Sequence, residues 1–362
     1  SVRGKPPLHS SSIRDPSTYA TPSSSRPICW MSLPQLPEIL PLRPYLREMV
    51  WGGRRLGELY GKRLPADKSI GEAFELSALA GRDSTIASGV LEGRGLADVL
   101  GDYGPDLVGD AVIARYGDAF PLLIKLIDAQ DDLSIQVHPD DVYARAHALG
   151  TYGKTEAWVI LHSDAGRIAL GLEDGVSAED FSAAIAAGEA EQVVHFESVS
   201  AGDVVYLPAG TVHALCRGVV IYEVQQSSDI TFRLYDYDRD GLDGGKRELH
   251  VEQGLAVTDF SLRPQVQKLQ QKLAQKLKPY DGSTTVLDTD YFRLDVIDGE
   301  IEVDTQFTFA AVTATAGHVT LSGDKQECVL GPGDTAMIPA GQNVRVCPAP
   351  EVGRCLIATP TT

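Results

Sequence analysis

The stretch Gly202-Asp203-Val204-Val205-Tyr206-Leu207-Pro208-Ala209-Gly210-Thr211-Val212-His213 decides how the chain is read. Val204 to Leu207 is apolar and β-forming, Pro208-Ala209-Gly210 is a turn, and His213 follows on the way into the next strand. The same unit returns as Gly333-Asp334-Thr335-Ala336-Met337-Ile338-Pro339-Ala340-Gly341-Gln342-Asn343-Val344, with every Gly, Asp and Pro at one constant offset. A strand and turn used twice in the same order implies a duplicated β architecture. Val344 stands where the first copy has His213, so the fold is repeated and the polar side chain is not.

The spacing of Gly, Pro, Gly and His in the first copy resembles the second signature motif of the cupin superfamily of small β-barrels. The resemblance implies a mainly β protein of two cupin-type jelly-roll barrels, with a few helices packed around and between them. Residues 1–30, rich in Ser, Pro and Arg and without periodicity, read as a disordered leader or a non-native extension, with a transit peptide as the alternative. Residues 31–248 read as a metal-binding N-terminal barrel with helical insertions, 249–282 as a helical linker, and 283–362 as a degenerate C-terminal barrel without metal. Local chemistry places helices over 94–117, broken near Gly104-Pro105, and over 177–187, where Ser177 and Asp180 have capping spacing.

Composition excludes several classes. The chain has 362 residues, 43% hydrophobic and 23% charged, which suits a globular protein with room for two cores. A net charge of -18 opposes nucleic acid and anionic membrane surfaces, so an anionic ligand must be held by a few local cations. No apolar run approaches the roughly 20 residues of a membrane span. Cys29, Cys216, Cys328, Cys347 and Cys355 are scattered without CxxC spacing and suit reduced thiols in the cytoplasm. A monomer is expected.

Upstream of the first repeat, Leu133-Ser134-Ile135-Gln136-Val137-His138 alternates between apolar and polar residues. In a strand, Leu133, Ile135 and Val137 share one face, and Ser134, Gln136 and His138 share the other. A neutral imidazole and an amide oxygen two residues apart on one face can reach a single cation. Glu156 follows Gly153-Lys154-Thr155 into a strand, and His213 follows the Pro-x-Gly turn. Gln136, His138, Glu156 and His213 thus offer two nitrogens and two oxygens, a donor set for a borderline divalent ion with Zn2+ as first choice.

Lys154 precedes Glu156 by two residues as Ser134 precedes Gln136, so both point into the same interior. An ammonium and a hydroxyl suit a phosphate, and two residues of strand span about 6 to 7 Å, close to the length from a hexose carbonyl to a distal phosphate. Further on, Glu223 and Gln225 share a strand face, and Arg233 follows on the next strand. Arg233 could equally pair with Asp236 or Asp238 as an ordinary ion pair.

Four ordered runs carry a more specific resemblance. They are Ser134 to Asp141 with its Gln-Val-His-Pro-Asp-Asp, Gly153-Lys154-Thr155-Glu156-Ala157-Trp158, Pro208 to Leu215, and Glu223 to Tyr237. Together with Trp51-Gly52-Gly53 and Ile70-Gly71-Glu72, they make the chain from about Ile39 onward resemble the type I mannose-6-phosphate isomerases, in a compact bacterial-type form. The resemblance implies zinc held by Gln136, His138, Glu156 and His213, phosphate contacts from Ser134 and Lys154, and a catalytic Arg233. The activity implied is aldose–ketose isomerisation of a phosphosugar through a cis-enediol. Glu223 is the first candidate for the base, because a carboxylate desolvated inside a barrel has its pKa raised toward neutrality; a zinc-bound water is the other. The rivals are a cupin dioxygenase and a sugar-phosphate-binding module without turnover.

Overall fold

The protein is described here as a computed structural model covering residues 33–268 and 282–362. The leader at 1–30 and the 269–281 portion of the expected linker lie outside the described residues. Among the described residues strand outweighs helix, and the strands are arranged as four sheets.

A five-stranded sheet runs in the order Phe232–Tyr235, Ile135–Val137, His213–Leu215, Arg167–Leu172, Val194–Ser198. Facing it is a seven-stranded sheet in the order Val266–Lys268, Asp203–Leu207, Glu156–Ser163, Val219–Gln226, Leu122–Ala129, Ile70–Leu76, Tyr45–Gly53. A second seven-stranded sheet lies behind the first and contains Ser283–Asp288, Phe292–Ile297, Ala310–Ala316, Thr335–Ile338 and Arg354–Pro360. The outermost layer is the four-stranded sheet of Ile301–Asp304, Asn343–Pro348, Val319–Ser322 and Glu327–Leu330. Each repeat unit therefore sits in its own sandwich. The expectation of two barrels holds at the level of a mainly β fold, because hydrogen bonding closes neither pair of sheets into a ring.

Strand periodicity explains the layering. In Val219–Gln226, Val220, Tyr222 and Val224 face the second seven-stranded sheet and join a core with Phe292, Leu294, Val296 and Leu356. The alternate residues Val219 and Ile221 face the five-stranded sheet and join Leu133, Ile168 and Leu215. Glu223 and Gln225 continue that inward row, so the register of one strand places two buried polar groups inside the first sandwich. In the second sandwich the equivalent interior is filled by Val312, Ile338, Val344 and Val346, all fully buried.

The capping box at Ser177 and Asp180 is formed, and the helix Ala178–Ala187 ends on Gly188 at φ 73°. Its Phe181 and Ile185 cover the outer face of the five-stranded sheet against Ile135 and Val137. The 94–117 region forms three short helices, Leu96–Tyr103, Pro105–Val108 and Asp110–Tyr116, interrupted at Gly104-Pro105 and Gly109. Among its described residues, the stretch expected to be a helical linker is helix over Val251–Val257. Val266–Lys268 instead adds an edge strand beside Asp203–Val205, since an unpaired sheet edge offers hydrogen bonds that outweigh weak local helix preference. Two short strands from the N-terminal half, Leu40–Arg43 and Thr85–Ile86, complete the second seven-stranded sheet, with Leu40 paired to Met337. Among the described residues no helix is long and apolar enough to cross a membrane, and Cys216, Cys328, Cys347 and Cys355 are free.

Candidate active site

The sheet register collects the candidate ligands. His213 is paired directly with Gln136, and Gln136 with Arg233, so Arg233, Gln136 and His213 lie side by side across three strands of the five-stranded sheet. Glu156 opens its strand in the facing sheet, opposite Gln225. The two sheets bring His138, Glu156 and His213 together with one donor atom of each within 4.8 Å of the others. All three side chains are buried.

Each imidazole is turned by its other nitrogen. His138 Nδ1–H donates to the Ile230 carbonyl at 2.8 Å, and His213 Nδ1–H donates to the Thr211 carbonyl at 2.9 Å. That tautomer turns both Nε2 lone pairs into the cluster, 3.6 Å and 3.3 Å from the Glu156 carboxylate. Burial pushes the His213 imidazole down to about 4. Burial, then Lys154 and His213, holds His138 well below the ordinary imidazole value. Both rings are therefore neutral near pH 7, with lone pairs available.

Neither Glu156 oxygen has a hydrogen-bond donor in good geometry, so the ion pair with Lys154 is what offsets the burial of its charge. The Gln136 amide nitrogen is 3.4 Å from His213 Nε2, and a half-turn of that amide brings its oxygen there instead. Two aimed imidazole lone pairs, a buried carboxylate and an amide fit a divalent cation. The Lys154 ammonium, 2.6 Å from Glu156 and 3.1 Å from His138 Nε2, supplies the only close positive charge described at this cluster.

Beside the cluster is a cavity of about 280 Å³, lined by Ser134, Gln136, Lys154, Glu223 and Arg233 among others. Glu223 accepts from Trp158 Nε1 at 3.1 Å and lies 3.6 Å from the Lys125 ammonium. Burial and then the neighbouring Glu156 raise its pKa, with Lys154 and Lys125 opposing. Gln225 points away, donating to the Gln226 and Ser228 carbonyls, and so shapes a loop. Arg233 donates through Nη1 to the Glu248 carbonyl at 2.8 Å, while its buried Nε has no partner. The carboxylate of Asp236 is taken by Arg239 at 2.8 Å and by Arg247, not by Arg233.

One wall carries a network that sequence reading did not single out. Lys125 is almost fully buried and reaches Glu72 at 3.0 Å, Asp229 at 3.5 Å and Glu223 at 3.6 Å. Arg47 joins Glu72 and Asp229, and Arg82 joins Asp229. Burial alone would lower the Lys125 pKa, but Glu72, Asp229 and Glu223 together raise it, so the ammonium is firmly charged. A signal was present: Lys125 is a lone cation inside the apolar run Leu122-Leu123-Ile124-Lys125-Leu126-Ile127.

The family model for phosphomannose isomerase type I, catalytic domain, matches residues 39–165. The mannose-6-phosphate isomerase of Streptococcus mutans is 33% identical, over 83% of this chain and 92% of its own length. A mannose-6-phosphate isomerase of Bacillus subtilis is 31% identical, over 84% of this chain and 94% of its own. This chain belongs to the type I phosphomannose isomerases. The crystal structure of the Bacillus subtilis mannose 6-phosphate isomerase superposes with a TM-score of 0.73 at 29% identity, covering 90% of this chain and all of that one. Membership of the family accounts for the mainly β fold and makes the chain a mannose-6-phosphate isomerase.

Proposed function

We propose that the chain is a zinc-dependent isomerase that interconverts mannose 6-phosphate and fructose 6-phosphate through a cis-enediol, acting in the cytoplasm as a monomer. The observation that carries the reading is the convergence of two neutral imidazole nitrogens and a buried carboxylate within 4.8 Å of one another. Gln136, His138, Glu156 and His213 would hold the ion. Bound there, zinc supplies a Lewis acid for the oxygens on C1 and C2.

The protein's own groups divide the rest. Glu223 is proposed as the base that carries a proton between the two carbons, its raised pKa bringing its proton affinity closer to the working pH. Arg233 is proposed to donate through its open Nε to oxygen that gains negative charge in the enediol. Ser134 and Lys154 are the proposed substrate contacts. Sequence spacing assigned them to the phosphate, but the Lys154 ammonium lies 2.6 Å from Glu156, which favours oxygens at the reacting end. The first sandwich is assigned to a cupin-type jelly roll drawn from 31–248 with the edge strand Val266–Lys268, and the second to one drawn from 283–362 with Leu40–Arg43 and Thr85–Ile86. The second is assigned a bracing role without metal, its Val344 packed among apolar side chains.

Turnover of mannose 6-phosphate by the purified chain, with metal analysis before and after chelation, tests this reading. The expected result is one zinc per chain and activity lost with the metal and restored by it. Iron with oxygen consumption would mean a dioxygenase, and binding without turnover would mean a sensor.

A further inference from the structure

The segment Arg247–His250 runs beside Phe232–Tyr235, the edge strand of the five-stranded sheet, and clasps Arg233 from the side away from the ligand cluster. The His250 backbone N–H donates to the Arg233 carbonyl at 2.7 Å. In return, the Arg233 backbone N–H donates to His250 Nδ1 at the long distance of 3.4 Å. Across the sheet the order is therefore His213, Gln136, Arg233, His250. At about 4.8 Å per strand, the His250 backbone stands roughly 10 Å from the Gln136 strand, on the far side of Arg233 from the ligand cluster.

An imidazole that accepts at Nδ1 carries its hydrogen on Nε2. No described hydrogen bond uses that hydrogen, and the nearest carboxylate, Glu248, is 3.9 Å away. The ring is tilted against Phe232, a quarter exposed, and lines the same cavity as Gln136, Lys154 and Glu223. Its cationic neighbour in that wall, Arg247, is already engaged by Asp236. An Nε2–H held in one tautomer by the Nδ1 contact and turned to a polar cavity, with no acceptor among the described residues, is what a bound oxygen would complete.

We propose that His250 is a substrate-binding residue, donating Nε2–H to an oxygen at the non-reacting end of the bound phosphosugar. The proposal rests on the isomerase reading. Because that end carries nearly the same charge in ground and transition states, the contact acts on KM and leaves kcat alone.

Three variants separate the two ring nitrogens. Gln reaches the Nε2 position with an N–H donor, whereas Asn reaches the Nδ1 position with an acceptor oxygen. Steady-state kinetics on mannose 6-phosphate are measured for wild type, His250→Gln, His250→Asn and His250→Ala, with metal content and thermal unfolding of each. The expected result is a KM raised about three- to tenfold in His250→Asn and His250→Ala, near-wild-type KM in His250→Gln, and kcat within about twofold throughout. Rescue by Asn and not by Gln would overturn the proposal, since the ring would then act only by bracing the Arg233 backbone. A fall in kcat at constant KM, or no change in any variant, would overturn it too. Absence of turnover in the wild type would instead sink the isomerase reading, which the control reports separately.

Discussion

Glu223 is held between groups that pull its proton in opposite directions. Burial and Glu156 favour the protonated acid, while Lys125 at 3.6 Å favours the carboxylate. A base must be ionised to work, so the acid limb of kcat should lie above the usual carboxylate range of about 4.3. Lys125→Met removes the favourable charge and should move that limb to higher pH; a kcat–pH profile that stayed in place would show that Glu223 is not the titrating base. Arg233 is the other residue whose chemistry is exposed by its neighbours. Its Nε is left open while Arg239 and Arg247 are neutralised by Asp236. Arg233→Ala should lower kcat by about 10² to 10³ with zinc content unchanged. Were only KM to rise, Arg233 would be a binding residue. His213→Ala, by contrast, should lose zinc and turnover together, and metal analysis of the purified variant decides it.

At the scale of elements, the cavity depends on how closely two strands cross. A Cβ added at Gly71 would meet the Trp51 ring at 2.5 Å and Met49 at 2.8 Å, and one added at Gly52 would meet the Gly71 backbone at 2.4 Å. The pairing of Tyr45–Gly53 with Ile70–Leu76 is irregular at this point, between Glu48 and Gly53. Trp51 and Met49 both line the cavity, so the crossing sets one of its walls. Gly71→Ala should cost about 1 to 3 kcal/mol of stability by overpacking and raise KM by pushing Trp51 inward. Denaturant unfolding with kinetics on the same preparation measures both. Elements closed by local chemistry were legible beforehand, as with Ala178–Ala187, whose cap and C-terminal glycine lie within its own sequence. Val266–Lys268 was not, because its strand conformation comes from pairing with Asp203–Val205.

At the scale of the molecule, the residues Gln35–Thr362 form one unit in which the two sandwiches share a core between the seven-stranded sheets. A buried ion pair joins them at its edge. The Lys62 ammonium is 2.8 Å from Glu75 and also donates to the Gly333 carbonyl, in the second repeat. Burial raises the Glu75 pKa and Lys62 opposes the rise. Lys62→Met strands that carboxylate and should destabilise the whole chain by about 3 to 5 kcal/mol. The stranded acid has a folded-state pKa above its unfolded value, so stability is lost as pH rises between the two. The deficit relative to wild type should therefore be smaller at about pH 5 than at about pH 8, and thermal unfolding at both settles the sign.

The sequence by itself determined the repeated β unit, the loss of its histidine at Val344, and the ligand candidates Gln136, His138, Glu156 and His213. These rest on alternation and turn chemistry, which act over a few residues. Tertiary structure alone decided which distant strands became neighbours. It set Gln136 between His213 and Arg233, gave Lys125 its three carboxylates, turned Gln225 away, and carried Leu40–Arg43 into the far sandwich. The physical reason is that a strand's own sequence says which side chains share a face, while its partners are set by the burial and hydrogen bonding that the whole chain can satisfy at once.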